Sequence, residues 1–235
     1  MTEAIEKTVF TKLISVFWEP SATFKSLKIK TRWFDIVLPI LLVALVSIIS
    51  IPYVTPIAIE QQKARIEKSE RLSDEQKEMA FERMDKHAGS IIPYVSTPIS
   101  IAVKCVFIAL VMWFAGNFLL GGESKFVPVF AMTAYACLID IIAVVVKVPL
   151  IVSQQTMKVY TSPALFFEES STFLFRFMAT LDIFALWKVI LVSIGLGVIY
   201  DLKTSKAFWV VLLLWLGYCV MASLLGGLVK IQITG

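Results

Sequence analysis

Beyond residue 35 the chain alternates long apolar runs with short polar breaks. Five runs stand out: Ile36–Ile59, Ile99–Leu120, Phe126–Val152, Leu181–Tyr200 and Ala207–Leu228. An α-helix rises about 1.5 Å per residue, so about 20 apolar residues cross a hydrocarbon slab about 30 Å thick. None of the runs alternates with period two, so each predicts a transmembrane helix and not a barrel strand. The pattern thus predicts an all-α integral membrane protein: a bundle of five transmembrane helices (36–235) behind an amphipathic segment (1–35).

That opening segment has its own period. Val9, Phe10, Leu13, Ile14, Phe17 and Trp18 fall on one helical stripe. Pro20 predicts the end of this helix, and Ser21 the N-cap of a second short one through Phe24 and Leu27. Lys25, Lys28, Lys30 and Arg32 follow, just before Trp33 and the first run. The stripe either lies along the membrane surface, with Phe10, Phe17 and Trp18 in the interface and the cations toward anionic headgroups, or packs on the bundle.

Between runs one and two, residues 60–89 hold seven basic and eight acidic residues. Ser73-Asp74-Glu75-Gln76 matches a capping box, which predicts a charged helical loop outside the membrane. Residues 153–180 are rich in aromatics and are expected to fold back into the interface. Asp182 is placed to cap run four. Pro39, Pro52, Pro56, Pro93, Pro98, Pro128 and Pro149 cluster near run ends and read as boundaries and kinks. Small residues four apart, such as Ser193/Gly197 and Ser223/Gly227, allow close helix contact.

Composition sharpens this only slightly. Hydrophobic residues make up 58% and charged ones 17%, and the mean hydropathy is +0.81. The net charge of +4 is not gathered on one soluble face, so no nucleic acid partner is expected. Lys7, Lys12, Lys25, Lys28, Lys30 and Arg32 precede run one, which predicts a cytoplasmic N-terminus and an external C-terminus. The seven bases of the 60–89 loop argue against that orientation. The first run is too long and begins too late for a cleaved leader. Cys105, Cys137 and Cys219 sit in three apolar runs and read as free thiols. With His87 the single histidine, no metal or cofactor is expected.

Candidate chemistry is confined to charges inside the runs, each costly unless paired or wetted. Lys104 lies in run two, Asp140 and Lys147 in run three, and Lys188 in run four. A small transporter or channel subunit would use Asp140 with Lys104 or Lys147 as counter-charge. The alternative is an internal ion pair joining runs two and three, with Lys147 and Lys188 snorkelling to the outer interface. No catalytic motif is present: no Walker loop, no G-x-S-x-G elbow, no H-E-x-x-H and no paired intramembrane aspartates.

Four stretches, taken in order, resemble the Yip (Ypt/Rab-interacting protein) domain family over nearly the whole chain. Phe17-Trp18-Glu19-Pro20-Ser21-Ala22-Thr23-Phe24 is similar to the family's opening element. Leu72-Ser73-Asp74-Glu75-Gln76 resembles the acidic element of bacterial relatives. Gly121-Gly122 with Phe126 and Ala134-Tyr135-Ala136 resembles the third-span signature. Leu181-Asp182-Ile183-Phe184-Ala185-Leu186-Trp187, then Gly195-Leu196-Gly197 and Ser205-Lys206-Ala207, resembles the fourth-span block. Asp140 departs from the family pattern. Without the long polar N-terminal tail of eukaryotic members, the chain resembles the prokaryotic branch. The resemblance implies a five-span bundle in a prokaryotic inner membrane, or in Golgi or ER membrane for a eukaryotic source. It implies a non-enzymatic role in organising the lipid bilayer or recruiting a membrane or cytoplasmic protein, a second copy of the chain included.

Overall fold

The computed structural model describes residues 8–69 and 72–234, apart from the side chains at positions 87, 88 and 227–234. Lys7, the side chain of His87 and the packing of Gly227 therefore lie outside what is described. The described residues form ten α-helices and no strand: α1 (Val9–Trp18), α2 (Pro20–Ile29), α3 (Phe34–Glu67), α4 (Asp74–Ala88), α5 (Ile92–Phe114), α6 (Phe126–Ala136), α7 (Ile139–Gln154), α8 (Phe173–Thr180), α9 (Ile183–Ile199) and α10 (Thr204–Thr234). A π-helical turn, Ala115–Leu119, prolongs α5, and a 3-10 turn occupies Pro163–Phe166.

Four segments are long and apolar enough to cross a membrane: Phe34–Glu67, Ile92–Leu119, Phe126–Gln154 and Thr204–Gly226. A fifth crossing exists if α8 and α9, bent by 54° at their junction, count as one span. Run four is the single helix α9, 17 residues long, and the break lies before it, at its junction with α8. The break comes from Asp182, which takes an extended backbone and accepts from the amides of Phe184 (2.9 Å) and Ala185 (3.3 Å), starting a new helix. Run three does break within its own length, in a turn at Cys137–Leu138 between α6 and α7.

The prolines correct a second expectation. Pro93 and Pro128 stand in the first turns of α5 and α6, but Pro39, Pro52 and Pro56 lie inside α3, Pro98 inside α5 and Pro149 inside α7, so these five are not boundaries. Each removes one backbone bond, whereas ending a helix in hydrocarbon would orphan a whole turn of polar groups. Ser21 is not a cap either. Glu19 closes α1 and opens α2, and Pro20 takes the first helical position, where its fixed φ suits the turn.

α6 and α9 form the centre. α6 packs against α2, α3, α5 and α9, and α9 adds α7 and α10. Residues 131–136 of α6 are buried throughout, and Gly195 of α9 leaves no room for a β-carbon, which would lie 2.3 Å from Met132. Outward faces stay apolar, as Leu41, Leu45 and Ile49 do at every fourth position of α3. Lipid is the solvent such a face requires.

At the end of the bundle that carries α1 and α2, Tyr200 closes the structure. Its ring fills space that side chains at Gly116 and Gly122 would occupy, and its hydroxyl accepts from Asn117 Nδ2 at 3.0 Å. Asn117 also accepts from the Ser124 amide, and Lys206 donates to the Leu120 carbonyl at 3.2 Å. At the opposite end, α4 folds back along the last turns of α3. Lys63 pairs with Asp85 at 2.5 Å, and Ser73 and Gln76 exchange cap bonds at 3.1 and 3.3 Å.

A β-carbon at Gly116 would sit 2.1 Å from the Tyr200 ring. Gly116→Ala is therefore expected to cost about 1–3 kcal/mol of stability through overpacking. Combined with Tyr200→Ala it should cost less than the two single losses added, as thermal unfolding in detergent would show.

Candidate functional site

Three helices bring charged side chains together within the bundle. Asp140, in the first turn of α7, faces Lys188 of α9 at 2.5 Å through one carboxylate oxygen and Lys104 of α5 at 3.4 Å through the other. Its position at a helix N-terminus adds the favourable end of the helix dipole. Lys188 is the closer and more buried partner, with 15% of its side chain exposed against 55% for Lys104. Cys105 and Cys137 lie buried beside this cluster, packed with Ala134, as free thiols.

Lys147 does not join Asp140. It pairs with Asp182 at 2.6 Å and lies 5.8 Å from the centre of the Phe184 ring. Asp182 also accepts from the Thr161 hydroxyl at 2.5 Å, so one carboxylate caps α9 and ties the 155–172 loop to α7. Lys188 likewise departs from the snorkelling expected of it. The reason is geometric: two turns along α7 separate Asp140 from Lys147, whereas Lys188 approaches Asp140 from the neighbouring helix.

A second ionic cluster, at the end carrying α1 and α2, escaped the sequence reading. Asp35 is fully buried in the first turn of α3. One of its oxygens meets Lys12 of α1 at 3.0 Å and the Tyr135 hydroxyl of α6 at 3.2 Å, and the other accepts from the Arg32 amide at 2.9 Å. Lys12, counted among the cations that set orientation, has only 4% of its side chain exposed. The signal that was available is an acid among basic residues at the start of an apolar run, together with a tyrosine within run three.

The N-terminal segment divides its stripe. Val16 and Lys12 face the bundle, and Phe17 meets Trp187 of α9 edge-on at 6.2 Å. Phe10, Ile14 and Trp18, four residues apart, stay 74%, 68% and 83% exposed. Lys25, Lys30 and Arg32 are at the surface, while Lys28 reaches the Val198 carbonyl at 3.2 Å and Asp201 at 2.5 Å. Lys28 is thus tied to the last turn of α9, where a cation meets the negative end of the helix dipole.

A cleft of about 460 Å³ opens at the far end, between Pro52, Pro56 and Glu60 of α3 and Gly89, Pro93 and Tyr94. None of the ionic residues above lines it. Among the described residues no group of three or more His, Cys, Asp or Glu could hold a metal ion. In comparison with known proteins, a family model described as the Yip1 domain matches residues 14–226. No curated protein and no solved structure matches.

Asp140→Asn is expected to couple in double-mutant cycles to Lys188→Met by about 0.5–3 kcal/mol and to Lys147→Met by nothing measurable. Asp35→Ala, which leaves the Lys12 ammonium buried and unpaired, should cost about 3–5 kcal/mol. Both are read from thermal unfolding of the detergent-solubilised protein.

Proposed function

We propose, for a chain that belongs to the Yip1 domain family, that this integral membrane protein organises the bilayer without catalysing a reaction, through an interfacial helix fixed to a transmembrane bundle. The observation that carries this reading is the divided helix α1. Its inner face is anchored by Lys12 and Val16, and its outer face presents Phe10, Ile14 and Trp18. An apolar, aromatic helix face at the end of a membrane bundle has the headgroup region as its natural solvent. Trp33 and Phe34, stacked at 3.5 Å and exposed, continue the same surface beside Lys30 and Arg32. Aromatic rings and cations together mark the level of a membrane interface.

In the orientation that the N-terminal lysines support, this interface is the cytoplasmic one and the wedge enters the cytoplasmic leaflet. A prokaryotic inner membrane is the setting the motif pattern favours. The same surface is where a cytoplasmic or membrane partner, or a second copy of the chain, would be recruited. Transport gains no support from the geometry: the Asp140 carboxylate is shared by two lysines and does not line the cleft at the far end of α3. The interfacial set accordingly becomes Phe10, Ile14 and Trp18, with Phe17 turned inward.

Replacing Phe10, Ile14 and Trp18 together by serine is expected to leave the bundle folded, because none of the three is buried. Cryo-microscopy of reconstituted liposomes should then show vesicles less deformed than with the wild type at equal protein density. Equal deformation by a variant that melts like the wild type would refute the proposal.

A further inference from the structure

The cluster around Asp140 is not neutral. Two ammonium groups, Lys104 and Lys188, share one carboxylate. The other acid facing α7, Asp182, lies nearly two turns away along α7 and is occupied by Lys147, Thr161 and two backbone amides. Lys188 holds the short bond and is mostly enclosed, while Lys104 has the long one and keeps more than half its side chain exposed. Its protein acceptor among the described residues is Asp140 alone. Val103 and Phe107, 63% and 66% exposed, flank it on the outward side of α5. That flank lies within an apolar span, so the spare donors of Lys104 point into lipid and not into bulk water.

A lysine in this setting is satisfied by an anion with several acceptor oxygens that arrives through the bilayer. Lys104 lies five residues inside the apolar run that begins at Ile99, about 8 Å along the helix, within reach of a headgroup drawn slightly inward. We propose that Lys104, backed by Lys188 across Asp140, forms a lateral site for a phosphate group, filled by the phosphodiester of an acidic phospholipid along the exposed flank of α5. This site lies on different residues from the interfacial helix, so either can fail without the other.

The test is native mass spectrometry of the full chain in detergent, titrated separately with phosphatidylglycerol, phosphatidylcholine and inorganic phosphate. Wild-type protein should retain phosphatidylglycerol in preference to phosphatidylcholine. Lys104→Gln should weaken phosphatidylglycerol about tenfold and leave phosphatidylcholine unchanged. Lys104→Arg, which keeps the charge, should restore binding. Asp140→Asn, which removes the competing carboxylate, should tighten it. If Asp140→Asn does not fold, the two Lys104 variants decide, since that side chain is largely exposed. Equal phosphatidylglycerol affinity in wild type and Lys104→Gln would overturn the site. Displacement of phosphatidylglycerol by inorganic phosphate at similar concentration would keep the phosphate chemistry but overturn the lipid as its source.

Discussion

Asp35 is the point at which the N-terminal region and the bundle become one object. A carboxylate with no exposed surface is tolerable only if its charge is matched and its oxygens are bonded. Here Lys12, Tyr135 and the Arg32 amide supply that from α1, α6 and the turn before α3. The bond does more than neutralise charge. It sets the roll of α1 about its own axis, because Lys12 must point inward, and the residues two before and after it must then point elsewhere. The outward display of Phe10, Ile14 and Trp18 follows from where that one ammonium group is held.

The same rule, that charge inside a bilayer must be answered, organises the middle of the protein. Asp140 and Asp182 each collect bonds from separate elements: Lys104 and Lys188 for the first, and Lys147, Thr161 and the start of α9 for the second. α7 is thereby fastened to α5 and α9, and the loop before α8 is fastened to α7. Apolar packing alone discriminates weakly between helix arrangements in lipid, since tails are as apolar as leucine. Ion pairs give each helix a register. At Asp140 two cations answer one carboxylate, so one positive charge is left over, and that surplus is where a molecule from outside the chain acquires a role.

Local features were legible in the sequence and long-range ones were not. The apolar runs, the capping box at Ser73–Gln76 and the cap at Asp182 depend on residues within a few positions of one another. So does the amphipathic period of α1. The Lys12–Asp35 pair spans 23 residues and Lys188–Asp140 spans 48. Nothing in spacing distinguishes a lysine that reaches a neighbouring helix from one that snorkels. The turn at Cys137–Leu138 carries neither proline nor glycine, the usual local signals for a break. Pro39, Pro52 and Pro56 mislead in the opposite sense, because the rule that proline ends helices was learned in water.

One element joins the two ends described above. α3 has 34 residues, so it is about 51 Å long, against about 30 Å of hydrocarbon. Asp35 stands at its foot, and Lys63, bonded to Asp85 of α4, stands near its tip. Pro52 and Pro56 are four residues apart and so weaken the same face of the column. A column weakened on one face bends in one plane. The α3–α4 hairpin therefore stands on a column whose easiest plane of bending is set by two prolines, and whose base is gripped by the buried carboxylate on the other side of the membrane.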